Sequence, residues 1–382
     1  MLFERIESEG IAHYSYIVGD RHKAVVVDPR RDCDIYIQRA YENGLRIAYI
    51  LETHRNEDYV IGSVELAART GAEIWHADSR WEYQYGQPVE DGQTWKVGRF
   101  KLQAIHTPGH TPGSMSYLLH DLDGAPWVVF TGDALFAGDV GRVDLLGMDR
   151  AEEMAGLLHS SIFDRLLPLG DGVLVCPAHG AGSVCGSSIA EKPWTSIGAE
   201  HRLNPRLQAA SKDEFVADVA RELEQPPYFR QMEKLNLEGA PLLGTLPVPR
   251  PLSVREFAAA IEGTVVLDTR NELAYGAAHI PGSLYIRRDG LPDFAGWFLT
   301  YDKPVLLVTD AENPKQVTWY LVRLGFDNLA GYLSGGMLSW HKAGQVSNLI
   351  RTSNVHELCG WRDLVIVLGG IAGWKSVTCP VV

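Results

Sequence analysis

The sequence predicts an α/β protein with two domains, and three observations support this prediction. The chain has 382 residues, more than one ordinary hydrophobic core organises, since a domain averages about 150 residues. Short apolar runs interleave with helical stretches through its first half, and a second β/α alternation follows a proline-rich segment. Such alternation is typical of sheets flanked by helices.

The first domain is predicted to contain interleaved strands and helices between residue 1 and about residue 190. Its strands are short, β-rich apolar runs bounded by Gly, Pro and Asp. Two helices are predicted among them, over residues 33–43 and 61–70. The strand segments are YSYIVG, KAVVVD, RIAYILET, FKLQAI, SMSYLL, PWVVFTGD and DGVLVCPAH.

A domain boundary is predicted near residue 248, where the segment LPVPRP combines turn-forming and extended-chain residues. A capping box follows, in which the Ser253 hydroxyl and the Glu256 carboxylate bond to free backbone donors at a helix N-terminus. The segments VVLD and PVLLV and a helix over residues 314–324 then predict a smaller β/α unit.

We therefore expect the domains at residues 1–248 and 249–345. The remaining residues, 346–382, contain the segments SNVHEL and LVIVL, which echo SVREF and VVLD at the start of the second domain. We interpret this tail as a truncated second copy of that domain.

Composition excludes several kinds of partner. Lys and Arg total 35 against 48 Asp and Glu, a formal net charge of -13, and no basic run is present, so neither nucleic acid nor a membrane is an expected partner. The five cysteines are odd in number and lack CxxC spacing, which favours a reducing compartment. No apolar stretch reaches the roughly 18 residues of a membrane span. We expect a cytoplasmic homo-oligomer.

Potential metal ligands follow several predicted strands. His54, Asp133 and His179 follow the segments ILET, VVFTG and VLVCPA, and His110 lies in the turn HTPGHTPG after FKLQAI. Strand ends are held by a rigid sheet, while the loops after them shape a pocket. Because imidazoles and carboxylates bind metals, this convergence predicts a metal site.

These residues resemble the metallo-β-lactamase superfamily, whose first motif is written HxHxDH. Here the motif reads HRNEDY, starting at His54. Asn56 and Tyr59 replace two imidazoles that a dinuclear zinc hydrolase would use, one on each metal. The resemblance implies an αββα sandwich for the first domain, with an altered metal site.

The intact family ligands are His54, His110 and Asp133. Two imidazoles and one carboxylate form the ligand set of a mononuclear non-haem Fe(II) oxygenase with open positions. Persulfide dioxygenases of this superfamily are similar in using this triad. The resemblance therefore implies one Fe(II) per chain, with zinc as the alternative.

Three further residues are expected to act around that triad. Asp58, Tyr59 and His179 would orient the ligands or hydrogen-bond the reacting oxygen species. Tyr59 could equally be a packed aromatic residue with a satisfied hydroxyl. His179 could instead hold a second metal with Asp58 and Asp133.

The second domain resembles a rhodanese domain, through VVLDTRNELAYGAAHIPGSLYI, with Asp268, Arg270, His279 and Gly282, and through GYLSGGMLSW. Rhodaneses carry sulfur on a cysteine after a central strand, in a loop of backbone N–H groups that stabilises an anionic persulfide. Asp310 stands where that cysteine is expected, so we expect no sulfur transfer there. A structural, dimerising or ligand-sensing role remains, with Asp310 as a helix N-cap.

Together the two domains resemble the fused persulfide dioxygenase family of bacteria. The resemblance implies oxidation of a low-molecular-weight thiol persulfide, such as glutathione or coenzyme A persulfide, by O2 and water to sulfite and free thiol. It thus implies a role in sulfur metabolism and sulfide detoxification. Supporting segments are LFAGDVGRVDLLG, HGAGSVCG and PYFRQMEKLN.

Two further candidate catalytic residues each have two interpretations. Cys185 could hold or relay a sulfane sulfur, or be a buried inert thiol. Arg142 could bind carboxylates of the substrate, or form an ion pair with Asp144 that fixes the loop after Asp133.

Two other functions compete with the dioxygenase. A zinc-dependent thioester hydrolase of the glyoxalase II type would use zinc to form hydroxide. A non-catalytic regulator would bind sulfur species through a degenerate site, without turnover.

Overall fold

The computed structural model describes residues 1–78, 80–192, 194–310, 314–350, 352–354 and 366–368. The chain forms two compact units, Met1–Leu246 with Val322–Gly325, and Pro247–Leu321 with Phe326–Val382. The hypothesis of a truncated second copy at residues 346–382 concerns residues that lie mostly outside the described ranges.

Two six-stranded sheets form the first unit, and in each the strands lie side by side in chain order. The first sheet contains β1 (Leu2–Ser8), β2 (His13–Asp20), β3 (Lys23–Val27), β4 (Arg46–Leu51), β5 (Glu73–His76) and β6 (Gln87–Pro88). The second contains β7 (Thr94–Val97), β8 (Phe100–His106), β9 (Met115–His120), β10 (Pro126–Gly132), β11 (Leu174–Pro177) and β12 (Thr195–Ser196). All seven predicted strands are confirmed, as β2, β3, β4, β8, β9, β10 and β11.

Parallel pairs within these sheets place the loops after neighbouring strands at a shared edge. β3 pairs in parallel with β4, and β10 with β11. Neighbouring parallel strands end at the same edge of a sheet, so the loops after β10 and β11 begin side by side.

The hydrophobic core of this unit lies between the two sheets. Tyr16, Tyr117 and Phe130 are among its large buried side chains. β3 is buried on both faces apart from its first residue, as are the last five residues of β10. Strands covered on both faces need apolar residues at successive positions, which explains the unbroken runs in the sequence.

Helices cover the outer faces of both sheets and complete an αββα sandwich, as predicted. α1 (Asp34–Glu42) and α2 (Ser63–Thr70) pack on the first sheet through Tyr36 and Leu66. They confirm the two predicted helices, with ends shifted by at most two residues.

On the second sheet, α3 (Met148–Ser160), α4 (Ile197–Leu203) and α5 (Lys212–Val219) pack through Met154, Ile197 and Phe215. α6 (Phe229–Glu238) follows in the chain. None of the helices in the described ranges combines the length and the apolarity that a membrane crossing requires.

The second unit contains a five-stranded, all-parallel sheet. Its strands are β13 (Pro251–Leu252), β14 (Val265–Asp268), β15 (Leu284–Tyr285), β16 (Val305–Val308) and β17 (Leu329–Leu333), in the order β13-β17-β16-β14-β15. The helices that begin in this unit are α7 (Val254–Ala260), α8 (Glu272–Ala277), α9 (Leu291–Phe298), α10 (Lys315–Arg323) and α11 (Gly336–Lys342).

Sequence signals in this unit are confirmed at three places. Ser253 Oγ accepts a hydrogen bond from the Glu256 backbone, and Glu256 accepts one from the Ser253 backbone, which is the predicted capping box. VVLD and PVLLV form β14 and β16, and the predicted helix over residues 314–324 is α10.

A buried ion pair closes the loop after β14. Arg270 Nη2 lies 2.6 Å from Asp268 Oδ2, and Arg270 Nε lies 2.9 Å from Asp268 Oδ1. The same guanidinium donates to the backbone oxygen of Ala278 at 2.8 Å. Because Asp268 is fully buried, its charge depends on Arg270.

Candidate metal centre

The four predicted ligands lie at strand ends of both sheets. His54 follows β4, His110 lies between β8 and β9, Asp133 follows β10 and His179 follows β11. Each is at most 1% exposed. Contacts through the Asp133 carboxylate bring all four into one buried cluster.

The Asp133 carboxylate faces two imidazoles. Asp133 Oδ2 lies 3.7 Å from His54 Nε2 and 3.5 Å from His110 Nε2. Neither Nε2 atom has a hydrogen-bond partner among the described residues, although both are buried. Such atoms cost free energy, whereas an ion bound at about 2.1 Å holds ligand atoms about 3 to 4 Å apart. The three side chains therefore fit a shared metal ion.

Hydrogen bonds behind both imidazoles fix their tautomers. His110 Nδ1 lies 2.9 Å from the backbone oxygen of Arg142, which only accepts, so Nδ1 carries the proton. His54 Nδ1 lies 2.8 Å from Thr53 Oγ1, whose own proton goes to Asp28 Oδ2 at 2.7 Å. His54 Nδ1 is therefore a donor as well. In both rings the lone pair is on Nε2, as metal binding requires.

Two glycines permit this close approach of the loops. Gly132 has a φ of 53°, and a Cβ atom there would lie 2.6 Å from Thr53 Oγ1. A Cβ atom at Gly141 would lie 1.9 Å from the Asp133 backbone oxygen and 3.3 Å from His110 Cβ. A side chain at either glycine would displace a candidate ligand or its hydrogen-bond partner.

Asp58, His179 and Cys185 form a neighbouring set, whose ligand atoms lie within 4.8 Å of one another. His179 Nδ1 lies 2.8 Å from Asp133 Oδ1, and His179 Nε2 lies 2.9 Å from Asp58 Oδ2. Across the described residues, Nε2 has no hydrogen bond of good geometry. The set therefore suits either an imidazole held between two carboxylates or a second ion.

The charges in this cluster depend on one another. Burial opposes ionisation of Asp133, but His179, His54 and His110 outweigh it and lower the pKa of its carboxyl. Burial also favours the neutral form of His179, but Asp133 and Asp58 raise its pKa well above the usual value. The cluster thus stabilises a carboxylate at Asp133, the form that binds a cation.

The two replacements in the first motif have different environments. Asn56 Nδ2 donates to the backbone oxygen of His54 at 3.3 Å. The fully buried Tyr59 ring lies 4.0 Å from the His13 ring and 6.3 Å from the His179 ring, between centroids. Burial raises the pKa of the Tyr59 phenol, and its hydroxyl has no hydrogen-bond partner in the described part of the chain. Tyr59 therefore packs against two imidazole rings, while its hydroxyl has no partner among the described residues, unlike the satisfied hydroxyl of the packed-aromatic interpretation. Its role beside the metal ligands stays a prediction.

Glu57 also lies at this centre, although the sequence motif did not point to it. Glu57 Oε2 lies 3.6 Å from His110 Nε2, and Glu57, His54 and His110 form a possible three-ligand group. The available signal was a carboxylate three residues after His54. The HxHxDH pattern leaves that position variable and specifies only the aspartate that follows it, here Asp58.

Arg142 is fixed within its own loop. Its guanidinium forms two hydrogen bonds with Asp144, at 2.7 and 2.8 Å, and donates to the backbone oxygens of Val184, Leu223 and Glu224. Arg142 is 3% exposed. This geometry favours the interpretation as a loop-fixing ion pair over substrate binding.

Cys185 is completely buried beside the cluster. Burial, followed by the charges of Asp58 and Asp133, raises the pKa of its thiol well above the usual value. A buried, neutral thiol is a poor nucleophile, which supports the interpretation as an inert thiol.

Asp310 lies in the second unit, two residues after the end of β16. Its carboxylate accepts a hydrogen bond from the Asn271 backbone at 3.2 Å. Asp310, Arg287 and Arg288 line a cavity of about 240 Å³. The predicted N-cap role concerns residues 311–313, which lie outside the described residues.

A buried set of imidazoles and carboxylates at the strand ends of an αββα sandwich defines a metal-dependent enzyme. Residues 9–179 match the metallo-beta-lactamase superfamily, and residues 253–343 match the rhodanese-like domain. The chain belongs to the metallo-beta-lactamase superfamily and carries a rhodanese-like domain after its metal-binding unit.

Two kinds of curated relative resemble the first unit. Hydroxyacylglutathione hydrolase GloC of Haemophilus influenzae is 30% identical over 218 residues, 52% of this chain and 93% of its own length. Mitochondrial persulfide dioxygenase ETHE1 of Bos taurus is 32% identical over 237 residues, 59% of this chain and 77% of its own length. The relatives therefore include both a hydrolase and a dioxygenase.

Solved structures show the same fold. A metallo-beta-lactamase from Staphylococcus aureus matches with a TM-score of 0.78 and 30% identity, covering 87% of this chain and 98% of that protein. ETHE1 from Myxococcus xanthus matches with a TM-score of 0.54 and 30% identity, covering 62% of this chain and 98% of that protein. The first match extends over both units.

Proposed function

We propose that this protein is a persulfide dioxygenase with one Fe(II) ion held by His54, His110 and Asp133. The observation that carries the proposal is the pair of Nε2 lone pairs that face one carboxylate oxygen, at 3.7 and 3.5 Å. Two imidazoles and a carboxylate are typical of mononuclear iron oxygenases. The similarity to ETHE1 over most of that protein's length supports the same reaction.

The proposed reaction consumes a thiol persulfide, O2 and water, and yields the thiol, sulfite and two protons. The terminal sulfur loses four electrons, and O2 takes up the same four. Fe(II) would supply the O2 chemistry and open positions for both reactants. Glutathione and coenzyme A persulfides are the expected substrates.

The residues of the chain would position the ion through hydrogen bonds behind its ligands. Thr53 and the Arg142 backbone orient His54 and His110 through their Nδ1 atoms. His179 Nδ1 holds the second carboxylate oxygen of Asp133 at 2.8 Å. Loss of a hydrogen-bond partner behind a metal ligand typically weakens metal binding 10- to 100-fold.

A zinc-dependent thioester hydrolase is the second candidate. The neighbouring set of Asp58, His179 and Cys185 supports it because these side chains could hold a second ion. The similarity to hydroxyacylglutathione hydrolase GloC supports it too. Against it, the buried phenol of Tyr59 stands at a position where the family motif has a histidine.

One experiment separates these functions. The full chain is purified without O2, its iron and zinc are measured, and O2 uptake and sulfite are followed after glutathione persulfide is added. We expect one iron per chain and O2 uptake that Asp133→Asn abolishes. Bound zinc, no O2 uptake and turnover of a glutathione thioester would instead establish the hydrolase. Absence of turnover with either metal would indicate a regulator.

A further inference from the structure

Glu57 has one carboxylate oxygen that the described protein leaves without a partner. Glu57 is fully buried, and no described residue donates a hydrogen bond to its Oε2 atom. Oε2 lies 3.6 Å from His110 Nε2, and ligand atoms of Glu57, His54 and His110 all lie within 4.8 Å of one another. A buried carboxylate that lacks a partner is costly unless a cation compensates it.

The other oxygen of Glu57 is held from behind. Arg55 Nη2 lies 3.4 Å from Glu57 Oε1 and 2.7 Å from Glu233 Oε1. The Arg55 guanidinium also lies 4.7 Å from the centroid of the Trp81 ring. Arg55 thus donates hydrogen bonds to two glutamates, and its contact with Glu57 is the longer one. Arg55 therefore orients Glu57 without neutralising it fully.

We propose that Glu57 is a fourth protein ligand of the metal, beside His54, His110 and Asp133. The inference rests on the metal site of the proposed function but not on the reaction. The Glu57–His110 distance of 3.6 Å matches the 3.5 Å between Asp133 and His110, and both agree with ligand atoms around one ion. Together, the carboxylates of Glu57 and Asp133 would balance the charge of a divalent ion. Glu57 would also occupy one more of its coordination positions.

A purely structural ion pair is the competing explanation. Without a metal, a protonated His110 would pair with Glu57 through Nε2. The Nδ1 atom of His110 already carries a proton for the Arg142 backbone oxygen, so that pair requires an imidazolium. A metal ion and this proton exclude each other at Nε2, which makes the two explanations separable.

The test is a titration of the metal-free full chain with Co(II), followed through its visible absorption and through competition with a chelator. Glu57→Gln keeps the side-chain size and removes the charge. We expect at least 10-fold weaker binding and shifted Co(II) bands, because one ligand is lost. Glu57→Asp, which retains a shorter carboxylate, should bind with intermediate affinity and covers the case in which Glu57→Gln does not fold.

Glu52→Gln is the matched control, since Glu52 is equally buried but bonds to Tyr85. It should leave the Co(II) bands unchanged. Unchanged affinity and bands in Glu57→Gln would overturn the proposal, and so would weaker binding with unchanged bands, which indicates positioning alone. Because the titration needs no persulfide or O2, it tests Glu57 even if the dioxygenase proposal fails.

Discussion

The backbone oxygen of Arg142 lies 2.9 Å from Nδ1 of His110. This bond sets the tautomer of the imidazole and the direction of its Nε2 lone pair. The backbone at Arg142 is held in turn by its own guanidinium, which Asp144 binds through both oxygens. A candidate metal ligand is thus oriented by an ion pair in another loop.

Asp144→Asn tests this chain of contacts. The substitution leaves the buried Arg142 with a neutral partner, so the loop loosens and His110 loses its fixed orientation. We expect 10- to 100-fold weaker metal binding, measured by competition between the protein and a chelator. Glu153→Gln, which breaks an exposed ion pair with Arg150, is the control. Equal metal affinity of Asp144→Asn and the wild type would contradict the prediction.

Glu52 should make stability depend on pH. Burial raises the pKa of its carboxyl from 4.5 to about 8. Between these values the unfolded chain has lost the proton and the folded protein retains it, so the folded state becomes less stable as pH rises. Glu52→Gln removes this titration and should gain stability relative to the wild type by up to about 1.4 kcal/mol per pH unit. Urea unfolding of both metal-free proteins across this pH range measures the difference in their free energies of unfolding. A difference that does not change with pH would refute the prediction.

Cys185→Ser discriminates between one metal and two. If a single ion is bound by His54, His110 and Asp133, the variant should keep its iron and its rate of sulfite formation. The native thiol, buried and neutral, should react with iodoacetamide only after unfolding, as mass spectrometry can show. Loss of half of the bound metal in Cys185→Ser would support the two-metal hydrolase, and loss of sulfite formation alone would support a sulfur relay.

Arg270→Met should destabilise the protein strongly. It leaves the Asp268 carboxylate buried without its partner, and breaking a buried ion pair in this way costs about 3 to 5 kcal/mol. Urea unfolding measures the loss. Arg288→Met, which removes an exposed pair with Asp289, should change stability by less than about 1 kcal/mol. Similar stability of the two variants would show that the buried pair contributes little.

Strands covered on both faces were predictable from sequence because burial requires an unbroken apolar run, as in KAVVV of β3. β1 was not predicted, since it lies at a sheet edge and LFERIES mixes apolar and charged residues. Short strands such as β12 carry too few residues for any periodicity. These strands form because they pair with segments distant in sequence, and the local sequence does not predict that pairing.

The part of the candidate site that consists of histidines and carboxylates at strand ends was predictable from sequence. His54, His110, Asp133 and His179 all meet in the structure. Glu57 was missed because its position depends on how its loop turns toward His110. The bonds of Arg142 depend on residues 42 and 82 positions away along the chain, which a spacing pattern does not specify.

Gly132 and Gly141 give the site a vulnerability that its ligand residues do not reveal. Neither glycine offers an atom to a metal, yet a methyl group at either would collide with Thr53 or with the Asp133 backbone. A related gene could therefore retain every histidine and carboxylate and still encode an inactive protein. Reading activity from ligands alone would misclassify such a sequence, so glycines at these two positions belong among the criteria for an intact centre.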